Sequence, residues 1–193
     1  QAAWREQLTE ALAASGKRVL ELPVPSGEKS KTLSYVEQFA EELVRFGMTR
    51  DDVLTGIGGG VVGDVSGMLA AVYMRGIEHV QVPTTVVAQV DSAMGGKNGV
   101  NLRGGKNLIG TFHPARIVLS DPQLLQSLPE REYLSGMGEV VKYGAVFSVE
   151  FFDWLENEAT GILERDTSVL SRIVEQSALF KTGVVARDLH DRL

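Results

Sequence analysis

The sequence predicts an α/β fold: a parallel β-sheet flanked by helices, followed by an all-helical region. Three observations predict it. Short apolar runs alternate with helical periods between residues 17 and 121, the pattern of β-α-β units. A Gly58-Gly59-Gly60 turn joins one apolar run to a helical one. After Asp121-Pro122, β-branched runs become few and helical periods fill the chain.

The elements follow in order. Residues 2–15 are Ala-rich and read as a helix, with Gly16 as its stop. Val19-Leu20-Glu21-Leu22, inside the segment 17–24, reads as a strand. Pro25-Ser26-Gly27-Glu28 is a loop. Thr32–Phe46 is helical because Leu33, Val36, Phe39, Ala40, Leu43 and Phe46 recur at the helical period, and Gly47 ends it. Val53–Ile57 is a short strand, Val61–Met74 a buried helix, and His79–Val82 the next strand, with Pro83 opening a turn. Residues 91–115 are rich in Gly, Asn and Lys and read as loop, with room for a hairpin. Ile117–Leu119 is one more strand, and helix dominates from Leu128 onward. A domain boundary is expected near residue 122, dividing 1–121 from 122–193. The chain opens on Gln1 within a helical run (Trp4, Leu8, Leu12) and closes without a terminating element. It is therefore expected to be a piece of a longer protein.

Composition narrows the function. At 193 residues the chain can bury a sizeable core. Its net charge of −6 argues against broad electrostatic binding to nucleic acid. The absence of cysteine excludes disulfides, thiolate ligands and thiol nucleophiles, and fits a cytoplasmic protein. No apolar run approaches the roughly 18 residues of a membrane span, and no signal-peptide pattern is present.

Chemistry concentrates between Gly58 and Asn107. Gly58-Gly59-Gly60-Val61-Val62-Gly63-Asp64 joins a strand to a helix. Small residues there let backbone N–H groups approach an anion at a helix N-terminus. The spacing is not G-x-G-x-x-G, and a plain tight turn would look the same. Thr84 and Thr85 follow a strand. Their hydroxyls can bond phosphate, ribose or an amide, or cap the next helix. Gly95-Gly96-Lys97 and Gly104-Gly105-Lys106-Asn107 set two lysines nine residues apart in flexible loops. Such lysines offer point charges to phosphate or carboxylate, where otherwise they are solvated surface. Together with the glycine turn they point to a phosphorylated small molecule. Glu139 and Lys142 share a helix face, as a surface ion pair or as a metal ligand beside a substrate lysine. His79 is placed at a strand end, His190 in solvent and His113 beside the lysine loops. No zinc-type spacing joins them.

These motifs, in this order, make the chain resemble the 3-dehydroquinate synthases. They are S-G-E-K-S-K at 26–31, G-G-G-V-V-G-D at 58–64, A-A-V-Y-M-R-G at 70–76 and Q-V-P-T-T at 81–85. D-S-A-M-G-G-K at 91–97, G-K-N-L-I-G at 105–110, L-P-E-R-E at 128–132 and G-E-V-V-K-Y-G at 138–144 follow. The resemblance implies a Rossmann-like parallel-sheet NAD domain, then an α-helical domain, with zinc or cobalt between them. It implies that Ser26, Gly27, Glu28, Lys29, Ser30 and Lys31 lie at the cofactor, with Glu28 and Lys31 at its adenosine part. Gly60, Val61, Val62, Gly63 and Asp64 would hold the pyrophosphate. Thr84, Thr85, Lys97, Lys106, Leu124, Leu125, Gln126 and Ser127 would complete the cofactor and substrate side, with Asp91 at the nicotinamide end. Lys97, Asn107 and Lys142 would grip the substrate, Arg75 would reach its phosphate across a homodimer interface, and Glu139 would bind the metal. The implied reaction converts 3-deoxy-arabino-heptulosonate 7-phosphate to 3-dehydroquinate and phosphate, with NAD regenerated each turnover.

The resemblance has gaps. The family carries about fifty residues before this chain's start. Its G-H-T-F-G-H segment and a later His, the other metal ligands, lie past Leu193. Leu189-His190 stands where the family has an acidic residue, and Phe112-His113-Pro114 is one residue shorter than its Phe-Tyr-Gln-Pro. The piece alone is therefore expected to be inactive. Other readings are a cyclase making an inosose or a valiolone, a metal-dependent polyol dehydrogenase, and a non-catalytic nucleotide-binding or assembly module.

Overall fold

The computed structural model describes residues 2–188, with side chains from residue 6 onward; His190 lies outside this range. Helix α1 (Ala2–Ala14) is followed by Gly16 at φ 78, a left-handed turn suited to glycine. The strand expected at Val19–Leu22 does not form. Leu20, Leu22 and Val24 pack against the core at alternate positions, but the segment has no ladder partner among the described residues. Alternation alone does not make a strand without inter-strand hydrogen bonds.

After a short 3-10 helix at Glu28–Ser30 comes α2 (Leu33–Phe46). Thr32 caps its start by accepting from Tyr35 N, and Gly47 at φ 80 closes it by donating to Leu43 O and Val44 O. Strand β1 (Leu54–Gly58) leads into α3 (Gly60–Val72). The helix stops two residues short of the expected Met74, because Met74 and Arg75 take left-handed dihedrals, φ 48 and 67. Then follow β2 (His79–Pro83), the short helix α4 (Val86–Val90), β3 (Lys97–Leu102), β4 (Gly105–Phe112) and β5 (Ile117–Val118). The helical region holds α5 (Glu130–Phe147), α6 (Val149–Asn157), α7 (Ala159–Leu163) and α8 (Thr167–Val185).

Strands β1, β2 and β5 form one parallel sheet in that order, with Leu54 opposite His79 and Val80 opposite Ile117. The α/β expectation therefore holds. Within residues 91–115, read as loop with room for a hairpin, residues 97–112 form that antiparallel hairpin from β3 and β4. It lies against α3 at a spot only glycine permits: a Cβ on Gly67 would meet Asn98 Oδ1 at 1.8 Å. Asn98 in turn donates to Gly96 O and His113 O, so one buried amide fixes both ends of the hairpin.

Among the described residues two apolar cores result. One joins α2, α3 and Val100. The other joins α5, α6 and α8 with Leu125 and Leu128, and it includes Val86 and Val90 of α4. No helix among the described residues is long and apolar enough to cross a membrane.

Candidate functional site

The glycine turn sits where β1 meets α3. Gly59 is the N-cap of α3 and offers no side chain to the first N–H groups of the helix. These donors and the helix dipole favour an anion. A Cβ on Gly59 would lie 2.8 Å from Thr85 Cγ2, and one on Gly60 would lie 3.6 Å from Ser92 Oγ. The turn, Thr85 and Ser92 thus wall one place. Thr85 also caps α4, accepting from Ala88 N at 3.3 Å, so the helix-cap reading of this threonine is realised here. Thr84 is buried beside it, its N–H donating to Gly58 O.

At the next turn of α3, Asp64 pairs with the buried ammonium of Lys31 and accepts from Gly99 N at 3.3 Å. Burial pushes the Asp64 carboxyl above its usual range, with the Lys31 ammonium pulling the other way. Two residues expected at the cofactor therefore bind each other and clamp the 26–31 loop to α3 and β3.

The hairpin carries a pronounced bulge. Between the pairs Val100–Ile109 and Leu102–Gly105, the single residue Asn101 faces Lys106, Asn107 and Leu108. Asn107 is left-handed at φ 57, a conformation asparagine tolerates. Its N–H donates to Asn101 Oδ1 at 2.9 Å, while Asn101 Nδ2 donates to Glu28 Oε1 at 2.7 Å. A cavity of about 570 Å³ opens against this bridge, lined by Glu28, Lys29, Thr32, Asn101, Arg103 and Lys106 among others.

On the helical side, Asp91 ends α4. Its Oδ1 accepts from Tyr143 of α5 at 3.0 Å and pairs with Lys181 of α8 at 2.5 Å. Burial, then the Asp91 charge, push the Tyr143 phenol up, so it stays a donor. Lys181 Cε also comes within 3.7 Å of a Cβ built on Gly95, which ties Lys181 to the loop preceding Lys97. Glu139 and Lys142 form an ion pair on α5, with Glu139 Oε1 buried and Lys142 exposed. Among the described residues no three His, Asp or Glu side chains converge. Zinc or cobalt needs more donors than Glu139 supplies, so the described residues do not complete a metal site.

Other expected residues stand differently. Leu124 and Leu125 are buried in a 3-10 helix, Leu125 within the helical core. Gln126 Nε2 donates to Arg165 O, and Ser127 Oγ donates to Leu124 O. Of the residues 26–31, Ser30 and Lys31 are buried, and Gly27 takes φ 101 to enter the 3-10 turn. Exposed Arg75 lies past the far end of the 13-residue α3, about 20 Å from the glycine turn by helix rise. Lys181, Tyr143 and Asn101 were not singled out from sequence. A lone lysine on a helix and an asparagine in a Gly-Lys loop carry no spacing signal.

The chain matches the 3-dehydroquinate synthase N-terminal model over residues 21–135 and the C-terminal model over residues 136–193. A 3-dehydroquinate synthase from Acidithiobacillus ferrooxidans is 45% identical over 183 residues, covering 95% of this chain and 50% of that protein. One from Geobacter metallireducens is 48% identical over 181 residues, covering 94% and 50%. The chain thus spans about half the length of the curated relatives it matches. Among solved structures, 2-epi-5-epi-valiolone synthase from Streptomyces hygroscopicus, with NAD+ and Zn2+ bound, superposes with TM-score 0.93 at 28% identity, covering 99% of this chain and 54% of that one. A 2-deoxy-scyllo-inosose synthase complexed with carbaglucose-6-phosphate, NAD+ and Co2+ gives TM-score 0.78 at 31% identity, covering 86% and 46%. Glycerol dehydrogenase from Schizosaccharomyces pombe shares the fold at TM-score 0.69 and 19% identity, covering 94% and 52%. With its two family regions meeting end to end from residue 21 to residue 193, the chain belongs to the 3-dehydroquinate synthase family.

Proposed function

We propose that the protein containing this chain is a 3-dehydroquinate synthase. It would act in the cytoplasm as a homodimer on 3-deoxy-arabino-heptulosonate 7-phosphate, releasing phosphate and 3-dehydroquinate. The observation that carries the reading is the match to both family regions over residues 21–193. The glycine turn, the Lys-Asn hairpin and Glu139 with Lys142 all lie within those regions.

NAD, when bound, supplies a reversible hydride acceptor. The uncapped N–H groups at Gly60–Val62 fit its pyrophosphate, because they are orphan donors at the positive end of a helix. Thr85 and Ser92 stand beside that place. Glu28 faces the cavity suited to the adenosine end, and Asp91 would orient the nicotinamide end. Lys97, Asn107, Lys142 and Lys181 would hold the substrate's hydroxyl, carboxylate and phosphate groups, placing positive charge where negative charge develops as phosphate leaves. Arg75, remote from the turn in its own chain, would serve the partner's phosphate site. Glu139 would give a divalent ion one ligand, with the remaining donors outside the described residues. The division into a nucleotide-binding part (1–121) and a helical part (122–193) belongs to the same proposal.

The test is phosphate release by the complete protein from the heptulosonate phosphate, with NAD and a divalent metal added or withheld. The expected result is release that needs both, without net NADH, and 3-dehydroquinate as product. A different carbocycle would move the protein to the inosose or valiolone cyclases. Accumulating NADH would move it to the polyol dehydrogenases, and tight NAD binding without phosphate release to a non-catalytic binding module. The 193-residue piece alone is expected to turn over at under a hundredth of the complete protein's rate, on the order of losing an essential group.

A further inference from the structure

We propose that Asn101 is a positioning residue that couples the nucleotide loop to Asn107, so that nucleotide binding at Glu28 orders the residue assigned to grip the substrate. The inference rests on the nucleotide reading above.

Asn101 is the one residue of β3 that faces three residues of β4. A bulge frees a residue from its ladder and re-aims it. Here the freed backbone N–H of Asn101 donates to Lys31 O at 2.9 Å, which pins the strand to the end of the 26–31 loop. Its side chain then bridges outward in both directions, to Glu28 Oε1 at 2.7 Å and to Asn107 N at 2.9 Å.

The polarity of this bridge is fixed. The Glu28 carboxylate can only accept and the Asn107 amide can only donate, so the linking group must donate on one side and accept on the other. An asparagine amide does both, an aspartate does not, and an alanine does neither. Asn107 depends on the link because the bulge takes its N–H out of the ladder and, in its left-handed conformation, that N–H donates to Asn101 Oδ1. Glu28 presents one oxygen to Asn101 and keeps a second for a ligand hydroxyl in the adjoining cavity. A nucleotide that fixes Glu28 therefore fixes Asn101 and the N–H of Asn107. The physical element shared by the two sites is one side chain, and coupling through it must be reciprocal.

The experiment uses the complete protein and five forms: wild type, N101A, N101D, E28Q, and N101D combined with E28Q. NAD affinity is measured by calorimetry, and hydrogen exchange at the Asn107 amide is followed with and without NAD. N101D keeps an acceptor for Asn107 but sets a carboxylate against Glu28, and is expected to weaken NAD binding about tenfold. In the double variant, the amide introduced by E28Q donates to the carboxylate introduced by N101D. Its loss is expected to be at least about threefold smaller than the product of the two single losses, the mark of a direct interaction. In wild type, NAD is expected to slow Asn107 exchange several-fold, whereas in N101A it leaves that rate unchanged. A merely structural role would alter the basal exchange rate but not its response to NAD. Multiplicative single losses, or equal slowing by NAD in N101A and wild type, would overturn the coupling. Wild-type protein that binds no NAD would overturn the nucleotide reading itself. Both arms read without turnover, so failure to release phosphate would count against the catalytic reading alone.

Discussion

Asp91 and Lys181, ninety residues apart in sequence, meet at 2.5 Å, and the hydroxyl of Tyr143 reaches the same carboxylate oxygen at 3.0 Å. One oxygen at the end of α4 thus anchors both α5 and α8. Replacing Asp91 by Ala would strand the part-buried ammonium of Lys181, while the Tyr143 hydroxyl would keep only Val90 O, at 3.2 Å, as its acceptor. The expected cost is about 2–4 kcal/mol, seen as a lower urea midpoint with an unchanged m-value. Lys181→Met, which leaves Tyr143 bonded to Asp91, is expected to cost only about 1 kcal/mol.

The glycine turn gives a second expectation. A methyl group on Gly59 would press on Thr85, with 2.8 Å to Cγ2, and would crowd the place assigned to the pyrophosphate. Gly59→Ala in the complete protein should weaken NAD binding tenfold or more, about 1.4 kcal/mol. Calorimetry measures this, and an affinity within a factor of two of wild type would remove the turn from the nucleotide site.

A third substitution tests the hairpin's seat. Gly67→Ala would drive a methyl into Asn98 Oδ1, and Asn98 cannot retreat without giving up its bonds to Gly96 O and His113 O. Overpacking of this kind costs about 1–3 kcal/mol. The melting temperature should fall by about 2–4 °C per kcal/mol.

Acid should act through His79. This ring is buried, stacks on His113 at 5.2 Å between centroids, and has neither nitrogen hydrogen-bonded. Burial, and then the nearby His113, lower its pKa from 6.5 to about 4. The unfolded chain therefore binds this proton more readily than the folded one between those values. Stability should fall as pH drops from about 6.5 towards 4 and change no further from this cause below that, by about 3 kcal/mol at most. His79→Phe keeps an aromatic ring against His113 and should flatten the slope of unfolding free energy against pH in that window.

Much of the fold was legible because local chemistry and tertiary packing agree. Thr32 and Gly47 mark the ends of α2 in sequence and cap it in fact. The apolar run before Gly58 is a strand because β2 lies beside it. Where the two levels separate, the sequence misleads. Val19–Leu22 has the alternation of a strand but no ladder partner among the described residues. The hairpin has partners but little alternation, since its Gly, Asn and Lys residues serve a bulge and a close helix contact rather than a buried face. The site divides in the same way. Glycines and hydroxyls at 58–64 and 84–85 announce themselves by type and order. Lys181 and Asn101 matter only through the partners that folding brings to them.

Helix α4 carries a consequence for how this chain could be cut or exchanged. Val86 and Val90 belong to the apolar core built by α5, α6 and α8. Gln89 beside them donates to both Pro83 O and Asp121 O, stitching the end of β2 to the point where the chain leaves the sheet. A cleavage at residue 122 would sever one peptide bond but leave five residues of α4 lodged in the other half. In a chimera joined there, the incoming helices would have to accept Val86 and Val90 as their own, whereas a joint ahead of Thr85 would part β5 from β2 and the hairpin from α3, so neither joint leaves both packings intact.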